Sequence, residues 1–536
     1  MLTRADFVVI RKQTKGLRWQ RKPHLHAAYL CAAMVIRAVK NEFYLEMLNF
    51  FMKNAYFCQQ INYTNKSIMK QKSFFLAAVL LFSCLTVGAQ KPGGLSADLL
   101  KKIQQAQPSS PADKAIINAV ASNNIDDLVK NRANQGAVDT YFSIETPKQS
   151  IHDQQKSGRC WMFSGFNVLR ANFAKRHQDT LAVEFSHAYL FFYDQLEKAN
   201  LMLQGVIDNA SKPLDGARMQ FFFKNPVNDG GTFCGVADLA EKYGLVPMSV
   251  MPETYSSDNT RVMARLLSSK LREYGLELRR MVNAKKKKAE VEKRKTEMLA
   301  TVYRILSLTI GEPVQSFTYA FKNKDGKTVT PQKRYTPREF YDETVGHGLN
   351  GTFIMVMNDP RRAYHETYEV EYDRHSYDGH NWKYLNLPMD EIAQLAIASL
   401  KDGHKMYSSY DVGKQLDRKR GYMDVDNYDY GSLLGTTFNM GKADRIATFD
   451  SGSTHAMTLT AVDLDAQGKP LKWKVENSWG PTYGQKGCLI MTNQWFNEYM
   501  FRLVVDKKYV PAKLLKEYEK TPTMVMPEDP LFGCDE

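Results

Sequence analysis

The spacing of apolar and polar residues changes character along this chain. In the front half it is helical. Ala112 to Lys130 reads as a helix, 137–158 is irregular, and Cys160 to Lys175 carries apolar residues at three-to-four spacing. Residues 186–199 predict a second helix, with Ser186 as its N-cap. A long charged helical stretch spans 259–310. Thr336-Pro337 opens a short helix, with threonine as cap and proline in its first turn. Phe-Ile-Met-Val-Met at 353–357 reads as a buried strand, and 388–401 as a helix. From Thr454 onward the pattern is that of strands, at 456–464, 470–477, 488–491 and 501–505, with Gly and Pro turns between them. No internal repeat interrupts this order.

Composition places these elements in a globular protein. Of 536 residues, 43% are apolar and 24% charged, so a sizeable core is affordable in chain length. The net charge of +14 invites a nucleic-acid or membrane reading until it is located. Residues 1–68 carry 11 Lys/Arg against 3 Asp/Glu, and 69–89 add two lysines, leaving +4 for residues 90–536. The basic runs Lys285 to Lys288 and Lys293-Arg294-Lys295 are interleaved with Glu290, Glu292 and Glu297. That pattern reads as a solvated helix with i,i+4 ion pairs, and nucleic-acid binding is a secondary alternative.

The first 111 residues divide in three. Residues 69–89, MKQKSFFLAAVLLFSCLTVGA, have a basic start, a short apolar run and small residues before Gln90, the layout of a secretory signal peptide. The apolar run is too short to read as a membrane span. We therefore take Met69 as the native start, residues 1–68 as a non-native extension, and the expected location as secreted or periplasmic. Residues 90–111 read as a flexible Pro/Ser/Gly/Gln-rich leader. Seven cysteines show no CxxC pair, so neither a zinc site nor a disulfide framework is expected, and no metal or cofactor is assigned.

The chemistry concentrates at Gln154-Gln155-Lys156-Ser157-Gly158-Arg159-Cys160-Trp161. A cysteine at a helix N-terminus feels the positive end of the helix dipole, which favours thiolate. Gly158 allows a tight turn into that helix. The cysteine N–H can face a substrate carbonyl oxygen, and Gln154 can fold back as a second donor, making an oxyanion hole. The thiolate needs an imidazole. Of His347, His365, His375, His380, His404 and His455, only His455 directly precedes an apolar strand. Asn477 ends the next strand, so antiparallel pairing places it beside His455 as an orienter, with Trp479 able to shield their hydrogen bond.

These residues carry a resemblance. QxxxxxCW, then THA, then ENSWG is similar to the papain-like cysteine peptidases, in the order Cys, His, Asn. In detail the chain resembles their bleomycin hydrolase/aminopeptidase C branch. The matching strings are SGRCWMF (157–163), EFSHAYLFFYDQLEKAN (184–200), NDGGTFCGVADLAEKYGLVP (228–247), YDVGK (410–414), THAM (454–457), KWKVENSWG (472–480) and WFNEYMFRLVVDKKYVP (495–511).

The resemblance implies an α+β papain-like fold over residues 112–536, with a helical left domain and an antiparallel β-barrel-like right domain. The wide gap between Cys160 and His455 implies a large helical insertion at about 250–400. It also implies catalytic roles for Cys160, His455, Asn477 and Gln154, and substrate-binding roles for Asp229, Gly230, Gly231, Trp479 and Glu536. Further implications are a homohexamer and an aminopeptidase acting on small peptides.

In that branch the C-terminal tail lies in the cleft and meets the substrate amine, which limits substrate length. Family tails read roughly Pro-x-Trp-Asp-Pro-Met-Gly-Ala-Leu-Ala. The tail here (about 521–536) keeps Asp529-Pro530 but is one residue longer after it and ends Cys534-Asp535-Glu536. That departure leaves an endopeptidase with a non-gating tail as the alternative. It also brings a reversible Cys160–Cys534 disulfide into consideration.

Overall fold

The computed structural model describes residues 93–107 and 110–532. The expected extension, signal peptide, Cys534 and Glu536 lie outside the described residues. The described residues 93–107 belong to one unit and those from 110 on to another. In the first, part of the expected flexible leader is a helix, Ala97–Ala106, whose first turn is capped by Ser96 accepting from Leu99 N. Among the described residues no helix is long and apolar enough to cross a membrane.

In the second unit the expected helix at 112–130 is two helices, Asp113–Ser122 and Ile125–Leu128. Asn124 divides them by taking an N-cap role, its side chain accepting from Asp126 N. The central helix α1 runs Cys160–Arg176. Helix α2 runs His187–Asp208, capped by Ser186 as expected but extended by two turns. Helix α3 spans Phe233–Tyr243. Trp161, Phe166, Phe191, Phe192 and Val236 are fully buried in one apolar core that joins these helices. Each such side chain contributes about 1.5–3 kcal/mol by leaving water.

The charged stretch 259–310 is a helical pair, α4 (Arg261–Asn283) and α5 (Lys288–Thr309), both packed on α2. The lysine run forms the turn between them, with Lys285 at φ 55°. Arg294 pairs with Glu277 at 2.7 Å and Glu297 at 3.0 Å, and Lys295 with Glu292 at 3.1 Å. These pairs are those of a solvated helical hairpin. The short helix at Thr336-Pro337 is present as Pro337–Thr344 with a full capping box.

Beyond it the insertion is not helical throughout. Two short strands, Phe317–Tyr319 and Lys333–Tyr335, pair with each other. The chain then rejoins the main sheet. That sheet has twelve strands: β1 (Ile144–Glu145), β2 (Phe353–Met357), β3 (Thr367–Val370), β4 (Lys383–Asn386), β5 (Met406–Tyr410), β6 (Leu416–Asp417), β7 (Tyr422–Met423), β8 (His455–Leu464), β9 (Pro470–Glu476), β10 (Cys488–Thr492), β11 (Met500–Asp506) and β12 (Thr523–Val525). Their order is β12-β3-β4-β2-β11-β5-β8-β9-β10-β7-β6, with β1 on β8. All pairs are antiparallel except β2–β4, β3–β12 and β7–β10. The four strands expected after residue 454 are β8 to β11, while β2 to β4 come from the region expected to be a helical insertion. A second apolar core, including Trp473, Trp495, Leu459 and Leu489, lies on the sheet side. Helix α1 crosses onto β8, where Asn167 Nδ2 donates to Thr458 Oγ1 at 3.3 Å and Thr458 donates to Ser164 O. This seam holds the helical half against the sheet half, and the cleft opens at its end.

Candidate active site

Cys160 is the first residue of α1, so its N–H points out of the helix beyond the helix's own hydrogen-bond ladder. Its Sγ lies against the start of β8, where Ala456 N–H donates to it at 3.4 Å. His455 is the first residue of β8 and is buried. Asn477 follows β9 directly, and antiparallel pairing of β8 with β9 brings the two side chains together as expected. His455 Nε2 and Asn477 Oδ1 are 2.8 Å apart.

The direction of that hydrogen bond is fixed. Asn477 Oδ1 also accepts from Ser478 N–H at 2.8 Å, so it is the oxygen, and His455 Nε2 must be the donor. Nδ1 is then left as the proton acceptor. Burial pushes the imidazole down to about 4, with the Asn477 hydrogen bond pulling the other way. The ring therefore rests as a neutral base until a thiolate beside it stabilises the charged form. Trp479 stacks on His455 with centroids 4.8 Å apart, which covers the hydrogen bond. It is not among the residues that line the cavity with Cys160.

Gln154 is buried and its loop is stitched to the Asn477 loop. Its N–H donates to Ser478 O at 2.8 Å, and Asp153 bridges to Trp479. Gly480 closes this junction at φ +85°, where a Cβ would sit 2.9 Å from the Asp153 carboxylate. The Ser478 hydroxyl donates to Gln154 Oε1 at 2.6 Å, which turns the amide NH₂ inward. One of its hydrogens goes to Ser157 O at 2.5 Å, and an amide nitrogen has a second to give. Ser478 had no distinguishing signal in the sequence beyond its place in ENSWG.

The expected substrate loop at 229–231 lines the same cavity, of about 150 Å³, with Cys160 and His455. The Asp229 side chain, however, serves the nucleophile loop. Its Oδ2 accepts from Gly158 N–H at 2.6 Å and from Thr260 Oγ1. Gly158 is glycine for room, since a Cβ there would lie 2.5 Å from Asp229 Oδ1, and its φ is not left-handed. A Cβ on Gly230 would make only an ordinary contact with Asn228 Oδ1, at 3.6 Å, whereas a Cβ on Gly231 would strike His375 and Trp161.

Behind this loop lies a buried network that the sequence reading passed over. Lys198 Nζ donates to Gly230 O at 2.6 Å, Gln195 to Asn228 O at 2.7 Å, and Trp161 Nε1 to Asp229 O at 2.8 Å. Thr232 N–H donates to His375 Nε2, so His375 Nδ1 carries the proton it shares with Asp194 at 2.5 Å. The i,i+4 spacing of Asp194 and Lys198 on α2 was the available signal. Of the candidate histidines, only His455 lines the cleft. His380 pairs with Asp238, His365 lies between Glu391 and Glu517, and His404 meets Asn172.

The tail is docked as far as it is described. β12 pairs with β3, and Asp529 accepts from both Arg361 and Arg362 at 2.6 Å. Leu531 and Phe532 are buried, and the Phe532 ring lies 5.3 Å from the guanidinium carbon of Arg502, which lines the cleft.

Comparison with known proteins agrees with this fold. The model of the Peptidase C1-like family matches residues 94–532. Aminopeptidase C of Lactobacillus delbrueckii subsp. lactis is 36% identical over 82% of this chain and 98% of its own length. Human bleomycin hydrolase is 36% identical over 83% of this chain and 99% of its own. The crystal structure of PepW from Lactobacillus rhamnosis superposes with a TM-score of 0.77 at 37% identity, covering 82% of this chain and 99% of that one. The fold is papain-like α+β, and the chain belongs to the Peptidase C1-like family as a cysteine peptidase of the aminopeptidase C/bleomycin hydrolase branch.

Proposed function

We propose that the chain is an aminopeptidase that removes first residues from small peptides through a thioester at Cys160, with its own tail limiting substrate length. The observation that carries this reading is the meeting of Cys160, His455 and Gln154 at one cavity, with Asn477 hydrogen-bonded to His455 and Phe532 of the tail docked against Arg502 of the cavity lining. His455 Nδ1 takes the thiol proton and the sulfur attacks the carbonyl of the first residue. The developing oxyanion accepts from Cys160 N–H and Gln154 Nε2. The tetrahedral intermediate collapses, the C–N bond breaks, and the leaving amine takes its proton from His455. Water, deprotonated by His455, then attacks the thioester and restores the thiol. Assembly as a homohexamer and export through the segment at 69–89 are further parts of the proposal, on the resemblance and the sequence layout.

The tail's role follows from reach. Phe532 is fixed beside the cleft, and four residues extend at most about 13–14 Å beyond it. That length is enough for Asp535 and Glu536 to reach a substrate amine in a partly desolvated cleft. Deleting residues 533–536 leaves the Asp529 anchor intact. We expect the truncated enzyme to gain at least about tenfold in kcat/KM on N-acetylated aminoacyl amides, and to cut internal bonds. A product pattern unchanged by truncation would reject the gating role, and turnover of the N-acetylated amide by the untruncated enzyme would favour an endopeptidase with an idle tail.

A further inference from the structure

Arg502 is a buried cation at the catalytic cavity that the mechanism above does not use. It is 3% exposed, yet it lines the same cavity as Cys160 and His455. The sheet explains how it gets there. Ala456 of β8 is opposite Ser409 of β5, and Ser409 is opposite Arg502 of β11. The three residues form one row across three neighbouring strands, so Arg502 stands two strands, about 10 Å, from the backbone group that touches the Cys160 sulfur. All three line the cavity.

A buried guanidinium is normally paired with a carboxylate or fully hydrogen-bonded. Among the described residues Arg502 Nε has no hydrogen-bond partner, and the ion pair of the guanidinium with Asp373 is long, at 3.9 Å, to an oxygen that itself lacks a hydrogen-bond partner. Among the described residues Asp229 is the one carboxylate lining the cavity, and Gly158 and Thr260 occupy it. Two aromatic rings also hold Arg502: its guanidinium carbon lies 5.0 Å from the Trp382 centroid and 5.3 Å from that of Phe532. The cleft wall thus carries a fixed, desolvated guanidinium whose pairing is incomplete. Its planar fork matches a carboxylate.

We propose that Arg502 is a specificity-determining residue that recognises an acidic side chain on the residue at the amino side of the scissile bond, so that glutamyl peptides are favoured over their glutaminyl counterparts. This inference rests on the cysteine aminopeptidase reading. Glutamate and glutamine differ little in shape, so their ratio isolates the charge. Loss of a hydrogen bond to a charged group in a closed site is worth about tenfold to a hundredfold.

The test measures kcat/KM for Glu, Gln, Leu and Lys aminoacyl amides with wild type, Arg502→Gln and Arg502→Glu. Wild type is expected to favour Glu over Gln by about tenfold or more. Arg502→Gln should abolish that ratio while leaving Leu turnover within about threefold, and Arg502→Glu should invert the order so that Lys exceeds Glu. A wild-type Glu/Gln ratio near one, or a ratio unchanged in both variants, would overturn the inference while Leu turnover upheld the aminopeptidase reading. Absence of turnover on all four substrates by wild type would instead count against the aminopeptidase reading itself. Should Arg502→Gln lose Leu turnover through misfolding, Arg502→Lys serves in its place. It retains the charge and loses the fork, and is expected to keep a reduced Glu preference.

Discussion

Cys160→Ala is expected to lower kcat/KM on an aminoacyl amide by about 10⁴-fold or more while leaving the fold unchanged. The methyl group is smaller than the thiol, and the side chain it replaces sits at the cleft mouth of α1 rather than within either apolar core. Substrate binding should survive, because the 229–231 loop is held from behind by Lys198, Gln195 and Trp161 and not by the sulfur. The loss therefore belongs in kcat. Cys160→Ser should be nearly as inactive, since the geometry remains but a serine hydroxyl is far harder to ionise than a thiol with His455 as base. The measurement is steady-state kinetics on purified variants, with circular dichroism confirming the fold.

The second large effect concerns the oxyanion. Gln154→Ala is expected to cost about 10²–10³ in kcat with a small change in KM, the usual effect of removing one preorganised donor. The structure adds a graded companion. Ser478→Ala leaves the Gln154 side chain in place but removes the hydroxyl that holds its Oε1 at 2.6 Å. The amide is then free to rotate, so the variant should lose kcat by about tenfold, an intermediate amount. The double variant should be no worse than Gln154→Ala alone, because Ser478 acts only through the glutamine. Additive losses would show instead that Ser478 stabilises the oxyanion directly or supports Asn477.

Much of this site could be read from the sequence because each catalytic side chain sits at a boundary between elements. Cys160 opens a helix, His455 opens a strand and Asn477 closes one. Periodicity locates such boundaries, and antiparallel pairing of two successive strands leaves little freedom in which side chains meet. The strands after residue 454 were legible for the same reason. What failed to show depends on contacts distant in sequence. Asp229 looked like part of a glycine-rich substrate loop, but its carboxylate is committed to Gly158, 71 positions earlier. The strand at 353–357 was legible as an apolar run, but β3 and β4, which extend the sheet beyond it, were hidden in the region read as a helical insertion. The break within 259–310 falls at Lys285, a non-glycine residue in the left-handed region, with no glycine or proline to mark it. Arg502 is invisible for a plainer reason. Its strand alternates as any buried strand does, and only the order β11-β5-β8 shows that its side chain reaches the cavity.

The central claim is that Cys160 is the nucleophile, and selective alkylation tests it most directly. Among the described cysteines Cys160 is the one at the cleft. Cys234 and Cys488 are buried, burial pushing the Cys234 thiol well up and that of Cys488 to about 11. Treatment with iodoacetamide at neutral pH, followed by peptide mass spectrometry and residual activity on an aminoacyl amide, should show carbamidomethylation of Cys160 and loss of activity advancing in parallel to completion. Full alkylation of Cys160 with turnover unchanged would contradict the account.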